Sequence, residues 1–454
     1  MQAKRVFAIL VLIEEAWAIT NLICQDNISD EDLPLSRQPS LGENDHNILI
    51  SVKTGKTFQS FLSWPKEARV RDFLSMQWVV QAPVLHSFGQ RISLDPKCPL
   101  AMIDCSIQAK RGPNSILHKC KVHEAHQTVF KVTNTLFLPS RSSANKPQPG
   151  TDPCVAVKEV LDEKAFEKEK ENLEKLQALN HKHLIKLVAS CQRGSMFYFI
   201  FPWADGGDLK EFWNRHNSRP RSQNLILWSL RQMLGIVSAI HALHGKNMRH
   251  GDIKPQNILH FPNCDYRSID EEGILIIADV GVSKIHREIT SMRQDATNCK
   301  ESTILYEAPE AESDQKENKP RHRRYDMWSL GCMFLEFTLW LVYDYNTVRD
   351  FRRSRRSRDD PKESPGSFFI QTSETDVQTH PTVKEAFGHL RSHPLCNGNT
   401  ALGDLIQLIE DHLLKVDAKQ RAHAPELLEK IETIVHTAEQ KPCYLYPTSA
   451  SSTS

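Results

Sequence analysis

Asp252, Lys254 and Asn257 lie close together in the chain, at offsets of two and then three residues. Their side chains have the three chemical types that phosphoryl transfer needs. A carboxylate can accept a proton from an attacking hydroxyl, an ammonium can neutralise charge on the moving phosphoryl group, and an amide oxygen can hold a metal ion. The segment that contains them is therefore a candidate catalytic loop.

The segment His250–Asn257 resembles the catalytic loop H-R-D-x-K-x-x-N of protein kinases, with Gly251 where that family usually has arginine. Three further motifs stand in the family's order: V-A-I-K at Val155–Lys158, D-F-G at Asp279–Gly281 with valine replacing phenylalanine, and T-x-x-Y-x-A-P-E at Thr303–Glu310. The ordered set is more specific than any single motif. The chain therefore resembles the eukaryotic protein kinase-like superfamily, serine/threonine type.

The resemblance implies how ATP and Mg²⁺ would be held. Lys158 would bind the α- and β-phosphates of ATP and would pair with a glutamate on the helix that follows. Glu169 is the preferred partner because apolar residues follow it at helical spacing, and Glu171 is the alternative. Asn257 and Asp279 would coordinate the metal ion.

The resemblance also indicates where the adenine and the phosphates would contact backbone. Phe201 would occupy the gatekeeper position between two lobes, and Ala204 would offer its backbone to the base because Pro202 lacks an N–H. Gly112, in the segment 110–117, is the one glycine of a degenerate phosphate-binding loop. An ordinary surface turn is an equally good interpretation of that segment.

Two further resemblances imply structural roles. Glu310 and Arg421 would form a buried ion pair, and Asp326 would brace the backbone of the catalytic loop. Losing one partner of such a pair leaves the other as a buried, uncompensated charge.

Composition and charge narrow the classes of partner. The chain has 454 residues with 57 Lys+Arg against 56 Asp+Glu, so no global charge indicates specific nucleic-acid binding. The apolar run Val6–Ile13 is too short to cross a bilayer, so no membrane span is expected. The 11 cysteines include no C-x-x-C pair, which predicts reduced thiols in an intracellular protein, cytoplasmic or nuclear.

These observations predict an α+β, bilobal protein kinase-like fold. A mostly helical N-terminal extension, 1–98, would precede the kinase-like domain, 99–438. That domain would have a small lobe, about 99–203, with an antiparallel sheet and one helix, and a mainly helical large lobe, about 204–438. A disordered tail, 439–454, would follow. The extension is weakly similar to that of a kinase-like family common in filamentous fungi.

A basic block, Arg352–Arg358, lies in a Ser-, Asp- and Pro-rich segment at about 349–366. A solvated loop is the expected structure, and a nuclear-import or phosphoregulatory site is the alternative.

The resemblance implies an ATP- and Mg²⁺-dependent kinase that phosphorylates Ser/Thr hydroxyls of protein substrates. Lys254, two places after Asp252, and Thr303 resemble serine/threonine rather than tyrosine kinases. The alternative is a pseudokinase scaffold that binds nucleotide or partner proteins, supported by Gly251 and Val280. Phosphorylation of a small molecule is a third hypothesis, which the A-P-E motif disfavours.

Overall fold

The structure is a computed structural model, and its elements form an N-terminal region, a sheet-based small lobe and a helical large lobe. It describes residues 3–38, 48–106, 111–112, 115–132, 152–218, 221–262, 272–280, 305–311, 322–356, 366–373 and 376–446.

The N-terminal region has its own apolar core. Its elements are α1 (Lys4–Leu12), α2 (Ile19–Cys24), β1 (Leu35–Arg37), β2 (Leu49–Ser51), β3 (Thr57–Phe58) and α3 (Glu67–Met76). The ring of Phe61 lies 4.9 Å from that of Trp64 and 5.1 Å from that of Phe73, in a cluster that is separate from the other cores. The three strands form an antiparallel sheet, which the prediction of a mostly helical extension did not include.

The small lobe is built on one sheet with the strand order β4-β9-β10-β8-β7-β5, and β6 pairs with β7. Its elements are β4 (Gln90–Leu94), β5 (Met102–Ser106), β6 (Arg111–Gly112), β7 (Ser115–Val122), α4 (Val129–Val132), β8 (Cys154–Val160), α5 (Glu163–Leu179), β9 (Ala189–Arg193) and β10 (Met196–Pro202). The fold class is confirmed. Strand β4 differs from the prediction, because it runs parallel to β9 and begins before residue 99.

Helix α5 packs one face against this sheet. The side chain of Asp162 caps the helix by accepting a hydrogen bond from the Ala165 N–H at 2.7 Å. Phe166 stacks on Phe199 at 4.7 Å between ring centroids, and Leu173 continues the same buried face. The helical spacing of these residues places Glu169 on the face that meets the sheet.

The large lobe is mainly helical and surrounds two largely buried helices, Gln223–Gly245 and Arg324–Val342. Its elements are α6 (Leu209–Arg215), α7 (Gln223–Gly245), β11 (Ile258–Phe261), β12 (Ile274–Ile277), α8 (Arg324–Val342), α9 (Tyr345–Ser354), β13 (Phe369–Gln371), β14 (Val377–Thr379), α10 (Pro381–Ser392), α11 (Ala401–Leu408), α12 (Ala424–Gln440) and α13 (Pro442–Leu445). Every residue from Tyr325 to Val342 is buried, and most of them are apolar, as expected for a helix in the core of the lobe.

Helix α7 passes the length and composition test for a membrane-spanning helix, the single described helix to do so. Burial in the core accounts for that composition, since 67% of its apolar window is buried inside the large lobe. The apolar composition of α7 is therefore only weak evidence that this helix crosses a membrane.

The chain end differs from the prediction of a disordered tail. Helix α12 continues to Gln440 and α13 follows it, with Tyr444 and Leu445 buried. The Tyr444 hydroxyl donates to Asp404 Oδ2 at 2.5 Å, so apolar burial and a hydrogen bond fix the chain as far as α13. Residues 447–454 lie outside the described residues.

The prediction of reduced cysteines is wrong at one pair. Cys105 on β5 and Cys120 on β7 form a disulfide between adjacent strands. The other described cysteines are free.

The start of the basic block is ordered rather than solvated. Arg352 belongs to α9, and Arg355 follows the helix with a fully buried side chain. The expected solvated loop is therefore wrong for these two residues, because each finds a partner inside the large lobe. Residues 357–365 lie outside the described residues.

Two buried histidines predict acid sensitivity. Burial lowers the pKa of His183 and of His260 from 6.5 to about 4 in the folded chain. The folded state therefore binds fewer protons than the unfolded state between these values. Stability is full above about pH 6.5 and falls toward pH 4, by about 1.4 kcal/mol per pH unit for each histidine. Thermal unfolding measured from pH 7.5 to 4 checks this.

The matched comparison is His260→Gln against His436→Gln, since His436 is exposed on α12. In His260→Gln the free energy of unfolding should depend less steeply on pH than in the parent chain. In His436→Gln the dependence on pH should match that of the parent. A stability curve with no slope in this range would contradict the prediction.

Candidate active site

Lys158 and Glu169 form an ion pair between the sheet and α5. Lys158 lies on β8 opposite Leu117 of β7 and Phe199 of β10, in the middle of the sheet. Its Nζ donates to Glu169 Oε1 at 2.6 Å, and both side chains are nearly buried. The structure thus brings Glu169 to the lysine, whereas Glu171 is exposed on the same helix.

The charges around Lys158 keep it an ammonium. Burial alone lowers its pKa, but the carboxylates of Glu169 and Asp279 outweigh burial and raise the pKa above the ordinary value. Asp279 is therefore close enough to act on the pair, although it comes from a different lobe. The arrangement presents one cation beside two anions, which suits binding of phosphate groups together with a metal ion.

The three residues of the catalytic loop meet at one carboxylate. Lys254 Nζ lies 2.8 Å from Asp252 Oδ2, and Asn257 Nδ2 donates to the same oxygen at 3.0 Å. Asn257 Nδ2 also donates to the Asp252 carbonyl at 2.8 Å, which closes the loop on itself. Both side-chain contacts use Oδ2 rather than Oδ1.

Hydrogen bonds through Ala278 bring Asp279 to this loop. His250 Nε2–H donates to the Ala278 carbonyl at 2.9 Å, and the Ala278 N–H donates to the Asn257 carbonyl at 2.8 Å. The Asp252 N–H donates to His250 Nδ1 at 3.2 Å, so the imidazole ring joins Asp252 to Ala278. Asp279 therefore follows a residue that is held from both sides.

Asp279 and Asn257 offer oxygen donors of the kind that a divalent metal ion binds. Asp279 has φ 55°, a left-handed conformation that aspartate adopts more readily than most non-glycine residues, and its side chain is exposed. The Asn257 amide nitrogen is engaged with Asp252, so its oxygen is left to coordinate. Carboxylate and amide oxygens are the ligands that Mg²⁺ prefers.

Asp326, at the start of α8, holds the backbone of the catalytic loop through hydrogen bonds. Its two carboxylate oxygens accept the backbone N–H groups of His250 at 2.9 Å and Gly251 at 2.8 Å. His244 Nε2 lies 2.8 Å from the same carboxylate. Burial alone raises the pKa of Asp326, but His244, His250 and the Gly251 N–H outweigh it and hold the pKa below its usual value. Gly251 has φ 77°, a conformation that glycine adopts without strain.

Glu310 and Arg421 form the expected ion pair. Arg421 Nη1 and Nη2 donate to the two oxygens of Glu310 at 2.7 and 2.8 Å, a bidentate arrangement. Arg421 is fully buried and also donates to backbone carbonyls, so its hydrogen-bonding capacity is used. This pair fixes the end of the Leu305–Ala311 segment.

The predicted adenine-contacting residues follow the last strand of the small lobe. Phe201 pairs with Ala156 near the end of β10, and Pro202 pairs with Val155. Phe201 and Ala204 are both partly exposed and pack against the main core. They therefore lie where the small lobe passes into the large lobe.

Gly112, the last residue of β6, pairs with Ser115, the first residue of β7, in a short hairpin. Ser115 in turn pairs with Val160, two residues beyond Lys158 on β8, so the hairpin reaches past the lysine. Lys110, Gly281 and Thr303 lie outside the described residues.

Two neighbours of the site were not predicted from the sequence. His244 contacts Asp326, but a single histidine near a helix end carries no recognisable signal. Lys119 on β7 places its ammonium 4.7 Å from the ring of Trp203, which ties the sheet to the connection between the lobes.

Comparison with known proteins identifies the family to which the chain belongs. Residues 146–431, more than half of the chain, match the family model described as "Protein kinase domain". The chain therefore belongs to the protein kinase family. The matched region begins after β7, so the hairpin that contains Gly112 lies outside it.

Several curated relatives are similar over the same region. Calcium/calmodulin-dependent protein kinase type 1 of Macrobrachium nipponense is 28% identical over 287 residues, which cover 59% of this chain and 74% of the relative. Calcium/calmodulin-dependent protein kinase cmkA of Emericella nidulans is 26% identical over 303 residues, covering 62% and 66%. Serine/threonine-protein kinase RAD53 of Saccharomyces cerevisiae is 26% identical over 265 residues, covering 52% of this chain and 29% of the relative.

Replacing Glu169 with glutamine tests the ion pair. Glutamine keeps the shape of the side chain but removes the charge that orients Lys158, so kcat/KM for ATP should fall about tenfold or more, equivalent to about 1.4 kcal/mol of lost transition-state stabilisation. Steady-state kinetics with varied ATP measures the effect.

The matched control is Glu171→Gln on the exposed face of α5, which should leave kcat/KM for ATP near the parent value. Equal losses in both variants, or a loss in Glu171→Gln alone, would rule out the assignment of Glu169.

Proposed function

We propose that the chain is an ATP-dependent protein kinase that transfers the γ-phosphoryl group of ATP to Ser/Thr hydroxyls of protein substrates. The observation that supports this most is the grouping of Asp252, Lys254 and Asn257 at one carboxylate, with Asp279 held beside it through Ala278. The same roles are combined in phosphoryl-transfer enzymes, where positioning and charge neutralisation provide most of the catalysis. Membership of the protein kinase family gives independent support.

In the proposed mechanism, ATP binds between the lobes with its α- and β-phosphates on Lys158. Glu169 orients the ammonium, and the ion pair is buried enough for its charge to act with little screening by water. The adenine lies against Phe201 and the backbone of Ala204. Gly112 belongs to the hairpin that would cover the phosphates.

On the acceptor side, Asp252 Oδ1 receives the hydrogen bond of the substrate hydroxyl and takes its proton as the hydroxyl oxygen attacks the γ-phosphorus. Lys254 lies against the other oxygen of the carboxylate, at 2.8 Å, and from there its charge stabilises the transferred group. The bond from the γ-phosphorus to the bridging oxygen of ADP breaks as the new ester bond forms. Bound Mg²⁺, held by Asn257 and Asp279, would supply charge neutralisation to the phosphates.

The preference for Ser/Thr over Tyr rests on Lys254, two places after Asp252, and on the serine/threonine kinases among the similar proteins. An intracellular location, cytoplasmic or nuclear, stays a prediction.

The pseudokinase alternative is not favoured. Lys158, Asp252 and Asp279 are present, and the residues that replace family motifs fit their positions. Val280 is buried in the main core, so it still packs although it is smaller than phenylalanine. Gly251 keeps the backbone hydrogen bond to Asp326.

Phosphorylation of a generic Ser/Thr peptide, measured with radiolabelled ATP and Mg²⁺, tests the proposal. The parent chain should incorporate phosphate, and Asp252→Asn should reduce kcat by about a thousandfold or more, because asparagine keeps the hydrogen bonds but cannot take the proton. Binding of ATP by the variant should persist, since Asp252 does not hold the nucleotide.

Background incorporation by a folded parent chain would contradict the proposed function and favour the scaffold alternative. Equal incorporation by the parent and by Asp252→Asn would contradict the assignment of Asp252.

A further inference from the structure

Four polar side chains meet inside the large lobe, away from the residues assigned to ATP. Arg352 of α9 donates to both oxygens of Glu336 on α8, through Nε at 2.9 Å and Nη2 at 2.7 Å. The Tyr306 hydroxyl donates to Glu336 Oε2 at 2.6 Å, and Arg352 Nη2 donates to the Tyr306 hydroxyl at 3.0 Å. Arg355 Nη2 lies 3.5 Å from Glu336 Oε1. We refer to Tyr306, Glu336, Arg352 and Arg355 as the arginine cluster.

The arginine cluster is buried and its contacts depend on one another. The side chains of Glu336 and Arg355 are fully buried, and that of Arg352 is 15% exposed. Removing a charge from water is costly unless the group is paired and hydrogen-bonded, so each member needs the others. Burial alone raises the pKa of Glu336, but the two guanidinium groups and the Tyr306 hydroxyl outweigh it and hold the pKa below its usual value.

Arg355 holds the chain after α9 in place. Its guanidinium lies 4.0 Å from the ring centroids of both Phe351 and Phe368. Its Nε also donates to the Gly366 carbonyl at 3.0 Å. Aromatic contacts on the guanidinium and a backbone hydrogen bond give this arginine a fixed position that a solvated one would lack.

Tyr306 connects the arginine cluster to the neighbourhood of the catalytic loop. Its carbonyl accepts a hydrogen bond from Ser329 Oγ at 2.8 Å. Ser329 lies one helical turn after Asp326, whose carboxylate holds the catalytic-loop backbone. The segment 305–311 and the catalytic loop are therefore both held by α8, at points about one helical turn apart.

We propose that Arg352 and Arg355 are positioning residues for the acceptor substrate. Through Glu336 and the Tyr306 hydroxyl, they fix the segment 305–311 against α8, the helix whose Asp326 holds the catalytic loop. There the segment forms part of the surface on which the acceptor peptide docks. This inference rests on the proposed kinase function, because it assigns a role in binding the protein substrate of that reaction. Two arginines of the basic block thus act inside the large lobe.

Steady-state kinetics with the full chain, a Ser/Thr peptide and Mg²⁺-ATP tests the proposal. Arg352→Gln should raise KM for the peptide about tenfold, and Tyr306→Phe, which removes one hydroxyl, about threefold. Arg352→Lys keeps the charge but not the bidentate contact, so its KM for the peptide should lie between those of Arg352→Gln and the parent. KM for ATP and the hydrolysis of ATP without peptide should stay within about twofold of the parent in all of them, because none of the contacts given above for the cluster reaches a residue assigned to ATP.

The control is Arg353→Gln, since Arg353 is the neighbouring residue on α9 and its side chain is 67% exposed. It should match the parent in every constant. Thermal unfolding identifies any variant that is unfolded at the assay temperature. If Arg352→Gln is unfolded, Tyr306→Phe decides, because it keeps the aromatic ring and the bidentate pair.

Unchanged peptide KM in Tyr306→Phe and in folded Arg352→Gln would overturn the positioning role while leaving the kinase function intact. Parallel losses in peptide KM, ATP KM and ATP hydrolysis would overturn it too, because they indicate a general structural role. A parent chain that phosphorylates no peptide would refute the proposed function first, and the positioning role would fall with it.

Discussion

The hydrogen bonds of the Asp326 carboxylate are the interaction on which the rest of the site depends. The carboxylate is fully buried, and it accepts the N–H groups of His250 and Gly251 and contacts His244. A buried carboxylate is tolerated only when such donors surround it, and two of these donors, His250 and Gly251, belong to the catalytic loop. The loop and the start of α8 therefore stabilise each other. His250 extends this support to Ala278, the residue before Asp279.

Helix α8 serves as a common support for several parts of the site. Asp326 holds the catalytic loop, Ser329 holds the Tyr306 carbonyl, and Glu336 receives the Tyr306 hydroxyl. These three polar residues lie on a helix that is otherwise packed in the core, so their positions change little without disturbing that core. The ATP side is supported separately, because Glu169 and Lys158 depend on α5 and the small-lobe sheet.

Residues whose chemistry dictates both type and spacing could be predicted from the sequence. Asp252, Asn257 and the bilobal fold belong to this group, because phosphoryl transfer requires those side chains in one loop. Glu169 could be predicted only with an alternative, since the choice depends on which helix face meets the sheet. The buried positions of Arg352 and Arg355 could not be predicted. A run of arginines indicates a solvated loop unless a remote carboxylate, here Glu336, neutralises it, and a single sequence does not reveal that contact. The strand β4 and the helix α13 could not be predicted for the same reason. Both are short segments that are fixed by packing against distant parts of the chain, which a single sequence does not reveal.

Amide hydrogen exchange of the parent chain and of Asp326→Asn tests most directly whether this carboxylate fixes the catalytic loop. Asparagine keeps the shape of the side chain and one acceptor oxygen, but its amide nitrogen cannot accept the second backbone N–H. The account predicts that the His250 and Gly251 amides exchange about tenfold faster in the variant, while amides of α5 keep their protection. Unchanged protection of both loop amides in a folded variant would contradict it.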